Sequence, residues 1–320
     1  MPIKISVVVP TLNEEINIAK FLDSLLNQTR KPDEIIISDG GSIDKTVFII
    51  NNYIKKNNII KIVSRDGKCR GSGRNSGIKK SNNEYIALID AGTLPHKNWL
   101  EQLSYTLENN IKADCVYGAV IPHLDSTFAE CLSAFAIGKN RYDGKILHSV
   151  SSILISKKLW LQTGKFPESK NNEFVVEDLI FIENIKKSSF IQVTNKKAIV
   201  EWILPKTYQG VFSKYFNYFY GGLFTGHAKK LSTIRNLIIY LFLLIFGIFF
   251  NYLFLFILLI NHLFRSYTYF INSFWINKKY GISFITKFIV TSFLLIVIDL
   301  ATYSALLTYT LRFKWIKFQS

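Results

Sequence analysis

Cysteine is scarce in this chain. Cys69, Cys115 and Cys131 are odd in number and lack the close spacing of a zinc site, which leaves reduced, partly buried thiols as their reading. The start, Met1-Pro2-Ile3-Lys4, enters a strand-like run without the apolar core or small-residue cleavage site of a signal peptide. Neither a basic recognition helix nor an aromatic RNA-binding signature is present, so no nucleic-acid partner is expected despite a net charge of +16. Acidic residues all but vanish towards the end. Residues 231–320 hold one, Asp299, against eight Lys and Arg. A tail so apolar, yet basic at its edges, suits an anionic membrane face.

What is present first is a βαβ rhythm. Strands are expected at Ile5–Val9, Glu34–Ser38, Ile59–Val63 and Tyr85–Ile89. Helices are expected from Glu14 to Leu26, Asp44 to Lys55, Gly73 to Lys80, and from Pro95, as a first helical residue, to Glu108. Alternation of this kind predicts an α/β fold with a mainly parallel sheet covered by helices on both faces. The stretch from Ala113 to Val200 is less regular, with strands expected near Val116–Val120 and Ser151–Ile155.

From Leu237 the character changes. Leu237 to Ile260 carries no charge and as a helix would span about 36 Å, enough to cross a bilayer. A second candidate span runs from Phe288 to Leu311 around Asp299, read either as a functional group in lipid or as a polar helix contact. Two spans, about 237–260 and 288–311 within 234–320, with both chain ends cytosolic, are the expectation. Residues 205–233, rich in Tyr and Phe with Lys206 and Lys214, read as an interfacial segment or as a helix packed on the catalytic domain.

Several segments carry chemistry. Tyr85 to Gly92 is an apolar run ending in Asp90, the pattern of a buried parallel strand delivering a carboxylate to the ligand-binding edge of a sheet. The acidic pair Glu177-Asp178 can face the same cleft, as metal-assisted group transfer requires. Val8-Val9-Pro10-Thr11-Leu12-Asn13-Glu14 closes the first strand at a helix N-terminus, which favours anions. Ser38-Asp39-Gly40-Gly41-Ser42 permits a tight turn, and Asp39 can accept the imide N–H of a uracil ring. Gly67 to Gly77 fails the dinucleotide spacing, G-x-G-x-x-G, by one place. It reads as a loop offering Lys68, Arg70 and Arg74 to a diphosphate, or as a solvated basic loop.

Taken in order over residues 3–204, these segments resemble the family 2 glycosyltransferases. Gly164-Lys165-Phe166-Pro167-Glu168 adds to the likeness. Ala198 to Trp202, Pro205-Lys206-Thr207 and Tyr218 to Gly222 extend it to a membrane-anchored subgroup that makes surface glycans and exopolysaccharides. The resemblance implies a GT-A fold over 1–204 and a nucleotide-sugar donor, with UDP preferred. Pro10, Thr11, Glu14 and Asp39 would hold the nucleoside, Arg74 would lie near the pyrophosphate, and Ser42 and Gly71 would complete the donor-binding set. Asp90 would open the D-x-D element and bind Mg2+ or Mn2+. Asp178, beside Glu177, would be the general base. The third D-x-D position is Gly92, so the cation is held through Asp90 and water, or His148 substitutes, or basic residues neutralise the diphosphate. The expected acceptor is a lipid-linked or surface glycan at the plasma membrane, with the catalytic domain cytoplasmic and membrane lipids in contact. A polyprenyl-phosphate acceptor and a non-catalytic scaffold are the alternatives.

Overall fold

The computed structural model describes residues 2–64, 69–110, 112–137, 148–168, 176–226, 228–249, 252–276 and 284–319. The chain divides into two units. One comprises Met1–Pro122 and Lys145–Ile203, and the other His123–Gly144 and Leu204–Ser320.

The first unit is built on eight strands: β1 Ile5–Thr11, β2 Glu34–Asp39, β3 Ile60–Ser64, β4 Tyr85–Leu88, β5 Thr93–Pro95, β6 Cys115–His123, β7 Ile153–Ser156 and β8 Gln192–Ile203. They lie in the order β3-β2-β1-β4-β7-β6-β8-β5. The first four pair in parallel, with Thr11 opposite Asp39 and Val8 opposite Leu88. β7 runs antiparallel to β4 and β6, and β5 antiparallel to β8. Every residue of β1 is buried, as a strand covered on both faces must be.

Alternation divides those residues between two cores. Val7, Val9, Ile35, Ile37 and Ala87 meet Phe21, Leu22 and Leu25 of α1 (Ile18–Leu26) and Trp99, Leu100 and Leu103 of α4 (Trp99–Asn109), numbered with α2 (Thr46–Ile54) and α3 (Arg70–Lys80) between them. On the other side Val8, Ile36, Ile86 and Leu88 meet Ile78 of α3 and, further along the chain, Leu159 and Phe181. Each such side chain contributes about 1.5–3 kcal/mol through burial. Gly77 lets α3 lie directly on β1, because a Cβ there would stand 2.4 Å from Val8 Cγ1. Gly77→Ala is therefore expected to cost about 1–3 kcal/mol, read as a lower unfolding midpoint, and Val8→Ala should recover part of it.

Two helix starts differ from expectation. The helix expected from Glu14 begins at Ile18. Asn13 takes a left-handed φ of 53°, and the amides of Asn13, Glu14 and Glu15 bond Ser42 Oγ, Thr46 Oγ1 and Asp44 Oδ2. Pro95, expected to open a helix, instead ends β5, which pairs with β8; α4 starts four residues later.

The second unit is helical. It holds α5 (Thr127–Ile137) and, after α6 (Lys157–Gln162) and α7 (Glu177–Lys187) of the first unit, α8 (Tyr208–Phe224), α9 (Lys230–Phe249), α10 (Leu253–Ile276) and α11 (Phe284–Gln319). Among the described residues three helices are long and apolar enough to cross a membrane: Lys230–Phe249, Leu253–Ile271 and Phe284–Arg312. The single span expected over 237–260 is divided between α9 and α10. Gly247 lies against Leu255 while Tyr240 reaches Asn261, so the two helices run antiparallel. Asp299 accepts two bonds from Arg265, at 2.7 and 2.9 Å, which makes it a polar helix contact. α8 runs beside α11, with Tyr208 near Phe293 and Phe224 against Tyr309. Glu130 of α5 meets the buried Lys287 of α11 at 2.8 Å.

Candidate active site

Parallel pairing brings the C-terminal ends of β1, β2 and β4 to one edge, with Thr11, Asp39 and, two residues beyond β4, Asp90. Such an edge is where open α/β sheets bind ligands. Pro10 and Thr11 are buried there. Asp39 shapes the loop that follows it, accepting from the amides of Gly41 and Ser42 and from Ser42 Oγ at 2.6 Å. Ser42 Oγ in turn accepts from the Asn13 amide. Asp39 and Ser42 thus hold together the two loops expected to bind the nucleoside. A carboxylate has about four acceptor positions, so Asp39 keeps capacity for a ligand.

The centre of the site is an arginine held between acids. Arg74, 2% exposed, donates Nη1 to Glu177 Oε1 at 2.8 Å and Nη2 to Asp90 Oδ1 at 2.7 Å. Its guanidinium lies over the Phe166 ring at 5.3 Å. Burial disfavours the cation, but Asp90 and Glu177 outweigh it and hold Arg74 firmly protonated. Burial opposes ionisation of Asp90 as well, yet Arg74 and Arg70 keep its carboxyl below the ordinary value. Its other oxygen accepts from Ser151 Oγ at 2.7 Å. Arg74 therefore joins two carboxylates, using one N–H of each terminal nitrogen.

Asn75 explains how α3 holds this arrangement. Its amide donates to Phe166 O and Glu168 Oε1, and its Oδ1 accepts from Trp160 Nε1 and the Phe166 amide. The turn is set by Gly164 and Lys165, both at positive φ, and places Phe166 under Arg74. Gly71 is the close-approach point, since a Cβ there would stand 2.1 Å from Pro167 O. Its part is packing against that turn. Cys69 caps α3, its Sγ accepting from the Ser72 amide.

Glu177 and Asp178 open α7. Glu177 Oε2 is buried and has no partner among the described residues. Burial, reinforced by the Glu177 charge and countered by Arg74, pushes the Asp178 carboxyl up to about 6. A carboxylate tuned in this way is a competent proton acceptor near neutrality.

Gly92 leaves a short cradle. A Cβ built there meets one atom within 4 Å, Glu14 Oε1 at 3.6 Å. Burial raises the Glu14 carboxyl, Asn17 and Arg70 oppose this, and Asp90 adds to it. Glu14 feels the charge of Asp90, and carboxylates are hard oxygen donors of the kind Mg2+ and Mn2+ prefer, so the pair fits a divalent cation, although no cluster of three ligating side chains occurs among the described residues. His148 is engaged otherwise: its ring stacks on Tyr117 at 3.9 Å and its Nε2 meets Thr194 Oγ1. Lys68 lies outside the described residues. Sequence reading missed Ser151, Phe166 as a platform and the Arg74 bridge; the Gly164-to-Glu168 motif was the available signal.

Residues 6–153 match the family model described as glycosyl transferase family 2. The probable glycosyltransferase YdaM of Bacillus subtilis (strain 168) is 36% identical over 121 residues, 36% of this chain and 29% of that protein. A Methanococcus voltae protein is 36% identical over 101 residues, 30% of this chain and 32% of its own length. It is named dolichyl N-acetyl-alpha-D-glucosaminyl phosphate 3-beta-D-2,3-diacetamido-2,3-dideoxy-beta-D-glucuronosyltransferase. In both cases the match spans less than a third of the relative. The mannosyltransferase PcManGT from Pyrobaculum calidifontis, solved with GDP-Man and Mn2+, shares the fold at a TM-score of 0.50 and 17% identity. The match covers 68% of this chain and 63% of that one. The sheet unit has this GT-A architecture, as the sequence resemblance implied.

Proposed function

We propose, from the match of residues 6–153 to the family 2 glycosyltransferase model, that the chain is a membrane-anchored inverting glycosyltransferase. It moves a sugar from a nucleotide-sugar donor, with UDP preferred, to a hydroxyl of a lipid-linked or surface glycan. The observation that carries this reading is the Asp90–Arg74–Glu177 bridge, which ties the donor edge of the sheet to Asp178 at the head of α7.

Asp178 takes the proton of the acceptor hydroxyl as its oxygen attacks the anomeric carbon. The bond to the nucleoside diphosphate breaks on the opposite face, so configuration inverts. Pro10, Thr11, Asp39 and Ser42 hold the nucleoside. Arg70, whose charge is felt by both Glu14 and Asp90, supports the leaving diphosphate. A bound Mg2+ or Mn2+ supplies further charge neutralisation, and Asp90 is a residue that would hold it. Arg74 keeps Asp90 ionised and Glu177 in place.

A hydroxyl acceptor on a lipid-linked glycan is supported by the Methanococcus voltae relative, which is named for transfer to a dolichyl-linked sugar phosphate. The three apolar helices support a multi-pass membrane protein; in this reading the sheet unit faces the cytoplasm at the plasma membrane, on the side that supplies the nucleotide-sugar donor.

A base acts when it is ionised. With Asp178 at about 6, kcat/KM is expected to rise as pH passes through about 6 and to level off above it. A profile flat from pH 5 to 8 would contradict this assignment. The reading as a whole is tested by nucleotide release in detergent with native lipid extract, scanning UDP-, GDP- and dTDP-sugars with Mn2+, Mg2+ or EDTA. Sugar-dependent release supports it. No release from any donor, with folded protein, moves the scaffold alternative to the front.

A further inference from the structure

We infer that Glu14 supplies the second carboxylate of the donor's cation site, in place of the side chain that Gly92 lacks. The inference rests on the glycosyltransferase reading and deepens it. Asp90 is followed by Ala91 and Gly92, so the strand end offers one carboxylate, where a cation on a diphosphate takes one or two. The direction in which a side chain at 92 would leave the backbone leads to Glu14, whose Oε1 stands 3.6 Å from an ideal Cβ. That oxygen accepts no hydrogen bond among the described residues, and Oε2 receives a single long one from Asn17, at 3.4 Å.

The backbone of Glu14 is fixed for this role. Its amide donates to Thr46 Oγ1 at 2.7 Å, and its carbonyl accepts from the amides of Asn17 and Ile18 at 3.0 and 2.8 Å. The left-handed turn at Asn13 keeps Glu14 out of α1 and aims it across the sheet edge towards Gly92. On the far side Asp90 is held by Arg74 and Ser151, and each of its oxygens retains a lone pair. Two carboxylates would supply hard oxygen ligands of the kind Mg2+ and Mn2+ prefer, leaving the remaining positions to donor oxygens and water. Glu14 then serves the cation directly, beyond any contact with the nucleoside.

The test is Mn2+ titration into the full-length, detergent-solubilised chain with saturating UDP, following the free-ion electron paramagnetic resonance signal, alongside UDP binding in EDTA. Glu14→Gln is expected to weaken Mn2+ binding at least tenfold, since even groups that merely support a metal ligand are worth about 10–100-fold. Its effect on UDP in EDTA should be much smaller. Gly92→Asp, placed on top of Glu14→Gln, should restore Mn2+ affinity. An equal loss of UDP affinity with and without Mn2+, or no rescue by Gly92→Asp, would overturn the assignment and leave Glu14 as a nucleoside contact. Failure of the wild type to bind UDP, GDP or dTDP under either condition would overturn the glycosyltransferase reading itself.

Discussion

Asp178→Asn is expected to lower turnover by about 10²–10⁴-fold, the usual contribution of a positioned general base, while donor affinity changes little. The amide keeps the shape of the carboxyl, and its oxygen can still accept from the Leu179 amide, as Asp178 Oδ1 does at 2.9 Å. What disappears is the proton acceptor. Burial next to Glu177 holds this group near 6, so in the native chain it is mostly ionised at neutral pH yet basic enough to accept a proton. The rise of kcat/KM through about 6 should vanish with the substitution. Single-turnover kinetics beside equilibrium binding of the donor separate the two effects. Equal turnover in variant and wild type would remove Asp178 from the role. A shrunken effect would point to a lipid phosphate, already an anion, as the attacking group.

Arg74→Met should be the most destabilising single change in the sheet unit. It leaves Asp90 and Glu177 without their shared counter-charge, and breaking a buried pair on one side costs about 3–5 kcal/mol. Against a typical total of about 5–15 kcal/mol that is a large share. The pH dependence follows from the sign of the Asp90 shift. In the native chain Arg74 helps to depress that carboxyl, so its contribution is present above the unfolded value and lost as pH falls through the folded one. Without Arg74 the buried acids favour protonation, and the deficit of the variant should narrow as pH falls from 7.5 towards 4.5. Thermal unfolding midpoints across that range check this. Arg74→Lys should recover only part, because one ammonium cannot reproduce the two-sided fork. A deficit below about 1 kcal/mol at pH 7.5 would mean that the bridge is not what holds these acids.

The parallel half of the sheet was legible because buried strands read as unbroken apolar runs. β1 to β4 fall within a residue or two of the expected limits. The antiparallel half was not. β8 carries Lys196 and Lys197 among its buried positions, and β5 is three residues long, held by pairing with a strand about a hundred residues away. Asp90, Glu177 and Asp178 were legible as acids placed after apolar or irregular stretches. The bridge between them was not, because Arg74 looks like one more cation in a basic loop. The proximity of Glu14 to Gly92 depends on a left-handed turn at Asn13 that local propensity does not announce. In the tail, both arms of the α9–α10 hairpin are apolar, so composition merged them. Residues 123–144 were read as part of one continuous catalytic stretch; their grouping with the helical unit follows from long-range packing of α5 on α11.

The central claim is direct, inverting transfer of a sugar to a membrane acceptor. Its most direct test supplies full-length protein in native lipid extract with radiolabelled donor sugar. The label in the lipid phase is counted, and the anomeric configuration of the product is determined by NMR. The account predicts lipid-borne label matched by released nucleoside diphosphate, with the configuration opposite to that of the donor. A product that retains the donor's configuration would contradict it.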